Sequence, residues 1–426
     1  MFILRQLNDW VADIRAQISL PLRLLLWDGT QIDFSQAPPR VIVRLPCVSA
    51  ARHLLVPSLC GLGTAYVEGV IEIQGAARDM IAVVNALART TLKPEGRFAR
   101  VAHSVIHSRK ADAEAVRYHY DVSNAFYQQF LDAELVYSCA YFENGNEDLA
   151  TAQMKKIDLI LHKIGLRQHH TLLDIGCGWG ALVIRAAQCF GVRCVGVTLS
   201  MNQFDHARER VQQAGLSHLV DIRLMDYREV RGQFDRITSV GMFEHVGLLH
   251  LREYFSTINR LLAPDGVVMN HGITTTDPEN GEAPYGGGAF ISKYVFPHGE
   301  LAHLGYILKT MQEAGLEVSD VENLRRHYAR TCAIWSDNLE ANSEQVRALG
   351  GEQRYRIWQV YLAGCSYAFE QDWISVFQIV CNKAGCAAAV LPWSRQRQVA
   401  ATGSRVQTMT GARRGVRGRC QAGSNS

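Results

Sequence analysis

The chain has 426 residues, 48% hydrophobic and 20% charged, which is enough for two domains with buried cores, and it holds no apolar run long enough for a membrane-spanning helix. Its net charge is +3, but seven arginines and no lysine or acid lie between Ser394 and Ser426, leaving about −4 on residues 1–393. That mildly acidic body, without a basic and aromatic stripe, argues against nucleic acid as a partner. Eleven cysteines without a CxxC pair read as reduced thiols, and the histidines lack ligand spacing, so a cytoplasmic protein with no metal site is expected.

Residues 7–20 read as a helix stopped by Pro21, with Trp10, Val11, Ile14 and Ile18 on one face. Such a face packs on its own domain more readily than on a membrane. Short strands are expected at 41–45, 54–56 and 69–75, and a helix at 77–88 with Met80, Val83, Val84 and Leu87 at helical spacing. Residues 93–96 and 108–114 look like a linker. The chain therefore divides into 1–110, a smaller α+β unit with its linker, 111–393, and a disordered basic tail, 394–426.

An aromatic stretch follows, Tyr118-His119-Tyr120-Asp121 through Tyr127 and on to Tyr137-Ser138-Cys139 and Phe142. The run Leu172-Leu173-Asp174-Ile175-Gly176-Cys177-Gly178-Trp179-Gly180 is a buried strand that breaks into a glycine turn and then a helix. This unit lays bare backbone at the mouth of a parallel sheet, where a nucleotide-like ligand lies against the main chain. The spacing Gly-x-Gly-x-Gly is neither a dinucleotide fingerprint nor a phosphate loop. A nucleoside without a triphosphate fits better, and S-adenosylmethionine is such a ligand. Further strands at 194–197, 220–224, 234–240 and 266–271 alternate with helical patterns. The expected fold is α/β, a doubly wound Rossmann-like sheet of the class I methyltransferase kind. Residues 284–297 form a second aromatic, glycine-bearing segment, expected to be a loop covering a substrate site. A helix at 301–314, a strand at 316–323, helices through 369 and a last strand at 375–383 complete the chain.

Taken together, Tyr118–Asp121, Tyr137-Ser138-Cys139, the glycine turn, Thr198 to Gln203, the run from Val240 to Gly247 containing Glu244-His245, and Tyr328-Ala329-Arg330-Thr331 resemble the cyclopropane-fatty-acyl-phospholipid synthases, relatives of the mycolic acid cyclopropane synthases. The resemblance implies transfer of a methylene from S-adenosylmethionine to a cis double bond of a phospholipid-bound acyl chain. It also implies a bicarbonate ion as base, held by Cys139, Glu244, His271, Ile273 and Tyr328. In that reading Tyr328, His271 and backbone N–H groups near Cys139 and Ile273 donate to the anion. Glu244 then holds His271, is itself protonated, or accepts from the bicarbonate O–H; acceptance is favoured. For the cofactor, Gly176, Gly178 and Gly180 line the methionine and ribose, with Asp174 fixing the turn. Thr198, Ser200 and Gln203 replace the usual ribose-binding acid, Asp226, Tyr227 and Arg228 border the adenine, and Tyr137 and Ser138 close the other side.

The partners implied are phospholipid with unsaturated acyl chains and a transient contact with the inner face of the membrane. The N-terminal unit is the expected lipid-docking element, and the sequence leaves a homodimer open. Two other readings stand beside this one. A methyltransferase on the same scaffold stops before ring closure, on an acyl chain or a small amine. A lipid-binding protein with an inert catalytic domain is the other, and the intact glycine turn and Glu/His/Tyr set argue against it.

Overall fold

The computed structural model describes residues 2–55, 58–91, 123–279, 281, 287–296, 299–386, 391 and 393–395. Tyr118-His119-Tyr120-Asp121, the linker segments, Pro284 to Gly286 and the chain after residue 395 lie outside these.

Alternating apolar residues build a first, four-stranded sheet. Leu22 and Leu24 of β1 (Leu22–Leu25) and Val41 and Val43 of β3 (Val41–Arg44) are buried on one face. β1 pairs antiparallel with β2 (Gln31–Asp33) and parallel with β3, and β3 pairs antiparallel with β4 (Glu72–Gln74). Helices Phe2–Gln17 and Ala77–Thr91 cover that face with Leu7, Trp10, Val11 and Ile14 from one and Met80, Val83 and Leu87 from the other. The apolar face of the first helix thus packs on its own sheet. The strand expected at 54–56 is not formed. Arg52–Leu55 is a helical turn continuing a 3₁₀ turn at Val48–Ala51, and Val56 lies outside the described residues. Three apolar residues are too short a run to distinguish one period from another.

The second sheet has seven strands in the order β10-β11-β9-β8-β5-β6-β7. β5 (Thr171–Ile175), β6 (Arg193–Thr198), β7 (Val220–Leu224), β8 (Phe234–Val240) and β9 (Leu262–Thr275) are parallel. β11 (Ile374–Lys383) runs antiparallel between β9 and β10 (Leu316–Asn323). Consecutive apolar residues are what a sheet buried on both faces requires. Leu172 enters the core under helices Leu149–Lys163, Ala181–Phe190 and Met201–Gln213, whereas Leu173 enters the core under Leu251–Leu261 and Leu304–Glu313. The chain winds from β5 outward to β7 and then crosses to β8, so a crevice opens at the carboxyl end of β5, where such sheets bind ligands.

A fourth, aromatic core of Phe126, Tyr127, Phe130, Trp335, Trp358 and Phe369 gathers around helices Arg325–Ala341 and Ser343–Glu370, the latter kinked at Gly351. The second of these helices also carries the N-terminal sheet. Tyr66 donates to Gln359 Oε1 at 2.7 Å, and Arg356 donates to the Tyr66 carbonyl at 2.9 Å. The segment expected as a loop over 284–297 contains a helix, Gly287–Tyr294. Its Phe290 packs against Gly63, and Tyr294 donates to Glu68 at 3.2 Å, which ties the segment to the N-terminal unit.

One close approach fixes the turn after β8 against β9. A Cβ on Gly272 would stand 2.3 Å from the ring of Phe243, so only glycine lets that ring lie flat on the strand. Gly272→Ala should lower the urea midpoint of unfolding by an amount equivalent to roughly 1–3 kcal/mol, the usual cost of overpacking. An unchanged midpoint would show that the turn is not held there.

Candidate functional site

The cleft at the end of β5 is made by backbone geometry first. The N–H groups of Gly176 and Cys177 both donate to the Val197 carbonyl at 3.0 Å, which folds the turn back on β6. Gly176, Gly178 and Gly180 have φ values of 80°, 55° and 84°, a region costly for other residues. Of the expected cofactor residues, Tyr137, Ser138, Asp174, Gly176, Gly178, Thr198, Gln203 and Tyr227 line the cleft. Gly180, Ser200, Asp226 and Arg228 do not.

Each of those four has a local task. Gly180 caps helix Ala181–Phe190, and a Cβ there would meet Ala207 at 3.3 Å, so it sets the spacing of two helices. Ser200 caps helix Met201–Gln213, accepting from the Gln203 N–H. Asp226 accepts from Arg228 Nε at 2.9 Å and Nη2 at 2.6 Å, a forked pair that satisfies both at the end of β7.

The polar groups that do line the cleft are oriented by their neighbours. The Thr198 hydroxyl donates to Gln203 Oε1 at 2.7 Å and accepts from the Ser200 N–H, so Gln203 is turned with its amide nitrogen away from Thr198. That leaves the Gln203 amide nitrogen as an N–H donor at the cleft. Asp174 is buried and accepts from the Thr238 hydroxyl at 2.7 Å; burial pushes its carboxyl up to about 6. Lys156, absent from the sequence reading, also lines the cleft and donates to Ser138 Oγ at 2.7 Å. Burial pulls its ammonium down to about 8, against the opposing pull of Asp132 and Asp174. Met242 and His245 line the opposite wall.

Beside the cleft lies a second group of buried polar atoms. Glu244, in the 3₁₀ turn Phe243–His245 after β8, accepts from the Ile273 N–H at 2.6 Å through Oε1, and its buried Oε2 has no hydrogen-bond partner among the described residues. Burial pushes its carboxyl up to about 7. His271 is 1% exposed; its Nδ1 lies 3.3 Å from Gln378 Nε2, and its Nε2 has no partner among the described residues. Burial, with Lys156 and Lys163 nearby, drives this imidazole toward the neutral form. Tyr328 is half-buried and stacks on Phe369 with ring centroids 4.6 Å apart. The Cys139 thiol is fully buried and donates to the Ala140 carbonyl at 3.2 Å; burial raises it far above the usual thiol range, which rules it out as a nucleophile at neutral pH.

Two expectations change. The Ile273 N–H is spent on Glu244, so it is not a free donor. His271 is held by Gln378 and not by Glu244, which removes one of the three roles considered for that carboxyl. Lys156 and Lys163 were legible in principle: they stand on the apolar stripe of helix Leu149–Lys163 with Leu149, Ala152 and Ile160, where a lysine has no solvent to reach.

Residues 107–379 match the family model for mycolic acid cyclopropane synthetase, and residues 10–95 match a domain family of unknown function. The chain is 44% identical over 383 residues to a probable fatty acid methyltransferase of Pseudomonas putida, covering 89% of this chain and 96% of that one. It is 39% identical over 276 residues to cyclopropane mycolic acid synthase 1 of Mycobacterium tuberculosis, covering 63% and 96% respectively. The crystal structure of the mycolic acid cyclopropane synthase CmaA1 complexed with SAH and CTAB superposes with a TM-score of 0.61, at 38% identity over 64% of this chain and 98% of that one.

The Glu244 carboxyl makes stability depend on pH. Its folded pKa of about 7 lies above the ordinary 4.5, so the folded state keeps a proton that the unfolded chain gives up, and stability falls as pH rises between those values. Glu244→Gln keeps the acceptor for Ile273 and removes the titration. Urea unfolding should find this variant close to wild type at pH 5 and more stable at pH 8, by on the order of 1–3 kcal/mol. A variant less stable at pH 8 would mean that the carboxylate is paired and not merely buried.

Proposed function

The chain belongs to the mycolic acid cyclopropane synthetase family, and from that premise we propose that it transfers a methylene from S-adenosylmethionine to a cis double bond of a phospholipid-bound acyl chain, closing a cyclopropane ring. One observation carries the reading. The turn after β8 serves both halves of the site, with Met242 and His245 lining the cofactor cleft and Glu244 buried beside β9. The glycine turn, the Gln203 amide and Tyr227 support the binding of the adenosyl group.

An isolated alkene is a weak nucleophile, so the sulfonium methyl must be held against it in a dry, preorganised space. Attack on the methyl carbon breaks its bond to sulfur and leaves a carbocation on the acyl chain. The rings of Tyr137, Trp335, Trp358 and Tyr361 lie packed together in this region, with Tyr137 and Trp335 centroids 5.2 Å apart. Aromatic faces stabilise a desolvated cation by roughly 0.5–2 kcal/mol each. Ring closure then requires loss of a proton from the new methyl group.

The buried polar group suits a bicarbonate ion, which has oxygens to be donated to and one O–H to be accepted. His271 Nε2 and the Tyr328 hydroxyl are donors, and Glu244 Oε2, without a partner among the described residues, accepts the O–H once the carboxyl has given up the proton it holds below about pH 7. Bound there, bicarbonate supplies the base for that proton. Cys139 and Ile273 contribute backbone shape: the Ile273 N–H orients Glu244, and the buried thiol packs the segment beside Tyr328.

We place the reaction at the inner face of the membrane, with the acyl chain drawn out by transient docking. The helix Gly287–Tyr294, anchored on the N-terminal unit, supports a docking role for that unit. A second reading, methyl transfer without ring closure, is favoured by the name of the Pseudomonas putida relative.

Analysis of acyl chains from cells expressing the protein tests both. A gain of one CH2 with no remaining hydrogenatable double bond is the expected result. The same gain with the double bond kept would select the second reading, and no gain would overturn both. Gly178 has φ 55° at the cleft, so Gly178→Val should abolish binding of S-adenosylhomocysteine in calorimetry with secondary structure retained. Tight binding by that variant would remove the cleft as the cofactor site.

A further inference from the structure

Three strands bring one row of side chains together behind His271. Glu322 of β10 pairs in register with Gln378 of β11, and Gln378 pairs in register with His271 of β9. Residues directly opposite in a sheet project from the same face, so the three form consecutive rungs. Lys163, at the end of helix Leu149–Lys163, reaches onto this row with its side chain 1% exposed. Its Nζ pairs with the Glu322 carboxylate and donates to Gln378 Oε1 at 2.7 Å.

We propose that Gln378 and Lys163 are positioning residues that hold His271 as the neutral Nε2–H tautomer, so that it presents a donor and no lone pair to the reaction site. The inference rests on the methylene-transfer reading for its purpose, not for its geometry. An ammonium has three donors and no acceptor, so the Gln378 amide must turn its oxygen to Lys163. Its NH2 group then faces His271 Nδ1 at 3.3 Å, and an NH2 group only donates. Nδ1 must therefore carry the lone pair, and in a neutral imidazole the hydrogen sits on Nε2, the nitrogen without a partner among the described residues. The half-exposed Glu322 carboxylate balances the buried lysine, so the orientation is set by a charge pair reaching to the surface.

The test is two-bond nitrogen–proton correlation NMR on the full chain labelled in the histidine rings, with His271→Gln giving the assignment. Wild type should show His271 as the Nε2–H tautomer from pH 6 to pH 8. Gln378→Glu places an acceptor against Nδ1 and should move the hydrogen there or give the imidazolium. Turnover should fall about tenfold to a hundredfold, the cost of losing a hydrogen bond to a charged group, with S-adenosylhomocysteine affinity unchanged. Lys163→Met, which frees the amide to rotate, should give a mixture of tautomers and serves if the first variant does not fold. A wild-type Nδ1–H tautomer would overturn the proposal, as would a variant whose tautomer moves while turnover stays whole. If wild type has the expected tautomer but no acyl turnover, the functional reading fails while the assignment of the tautomer stands.

Discussion

Burial of titratable groups at the carboxyl ends of the central strands is the constraint on which the rest of this structure depends. Asp174, Glu244, His271 and Lys156 all lie out of water at the mouth of the sheet. Taking a charge out of water is costly, so each group moves toward its neutral form: the two carboxyls upward, the imidazole and the ammonium downward. At neutral pH His271 is therefore uncharged and Glu244 about half protonated, while Asp174 and Lys156 keep opposite charges that offset each other at the cleft.

Dryness is maintained by the parts of the chain that look remote from the chemistry. Helix Ser343–Glu370 gives Trp358 and Tyr361 to the aromatic core and, from adjacent positions, Gln359 and Arg356 to the N-terminal unit. Arg356 also lies over the Tyr66 ring at 4.9 Å, so one stretch of helix carries both the wall of the site and the seat of the N-terminal sheet. Phe296 extends this wall, with its ring 5.9 Å from Tyr361 and 5.2 Å from His245 of the cleft. The helix Gly287–Tyr294 immediately before it rests on the N-terminal unit.

The central sheet was legible because parallel strands buried on both faces leave long apolar runs punctuated by glycine and polar residues. The strands at 220–224, 234–240 and 316–323 fall where the sequence puts them. The N-terminal sheet was less so. The β1–β2 hairpin passed unnoticed although Asp28-Gly29 marks its turn, and an apolar triplet at 54–56 read as strand. In the site, the residues carried by motifs assemble at the cleft or beside it. Those whose work is to orient others were not found from the sequence. Lys156 and Lys163 carry a signal only in the apolar stripe of their helix, and Gln378 is one polar residue in a late strand, more than a hundred positions from His271. The significance of Gln378 comes from register between strands, which no local spacing encodes. Conversely Asp226, Arg228 and Ser200 had the chemistry of ligand contacts and turned out to satisfy one another or the backbone.

The claim that burial holds a proton on Glu244 is tested most directly by infrared difference spectroscopy across pH, with Glu244→Gln as the reference that identifies the band. The account predicts a protonated carboxyl band from Glu244 at pH 6 that converts to a carboxylate band as pH passes about 7. A carboxylate signal already complete at pH 5 would contradict it, and with it the role of burial in setting the protonation of this site.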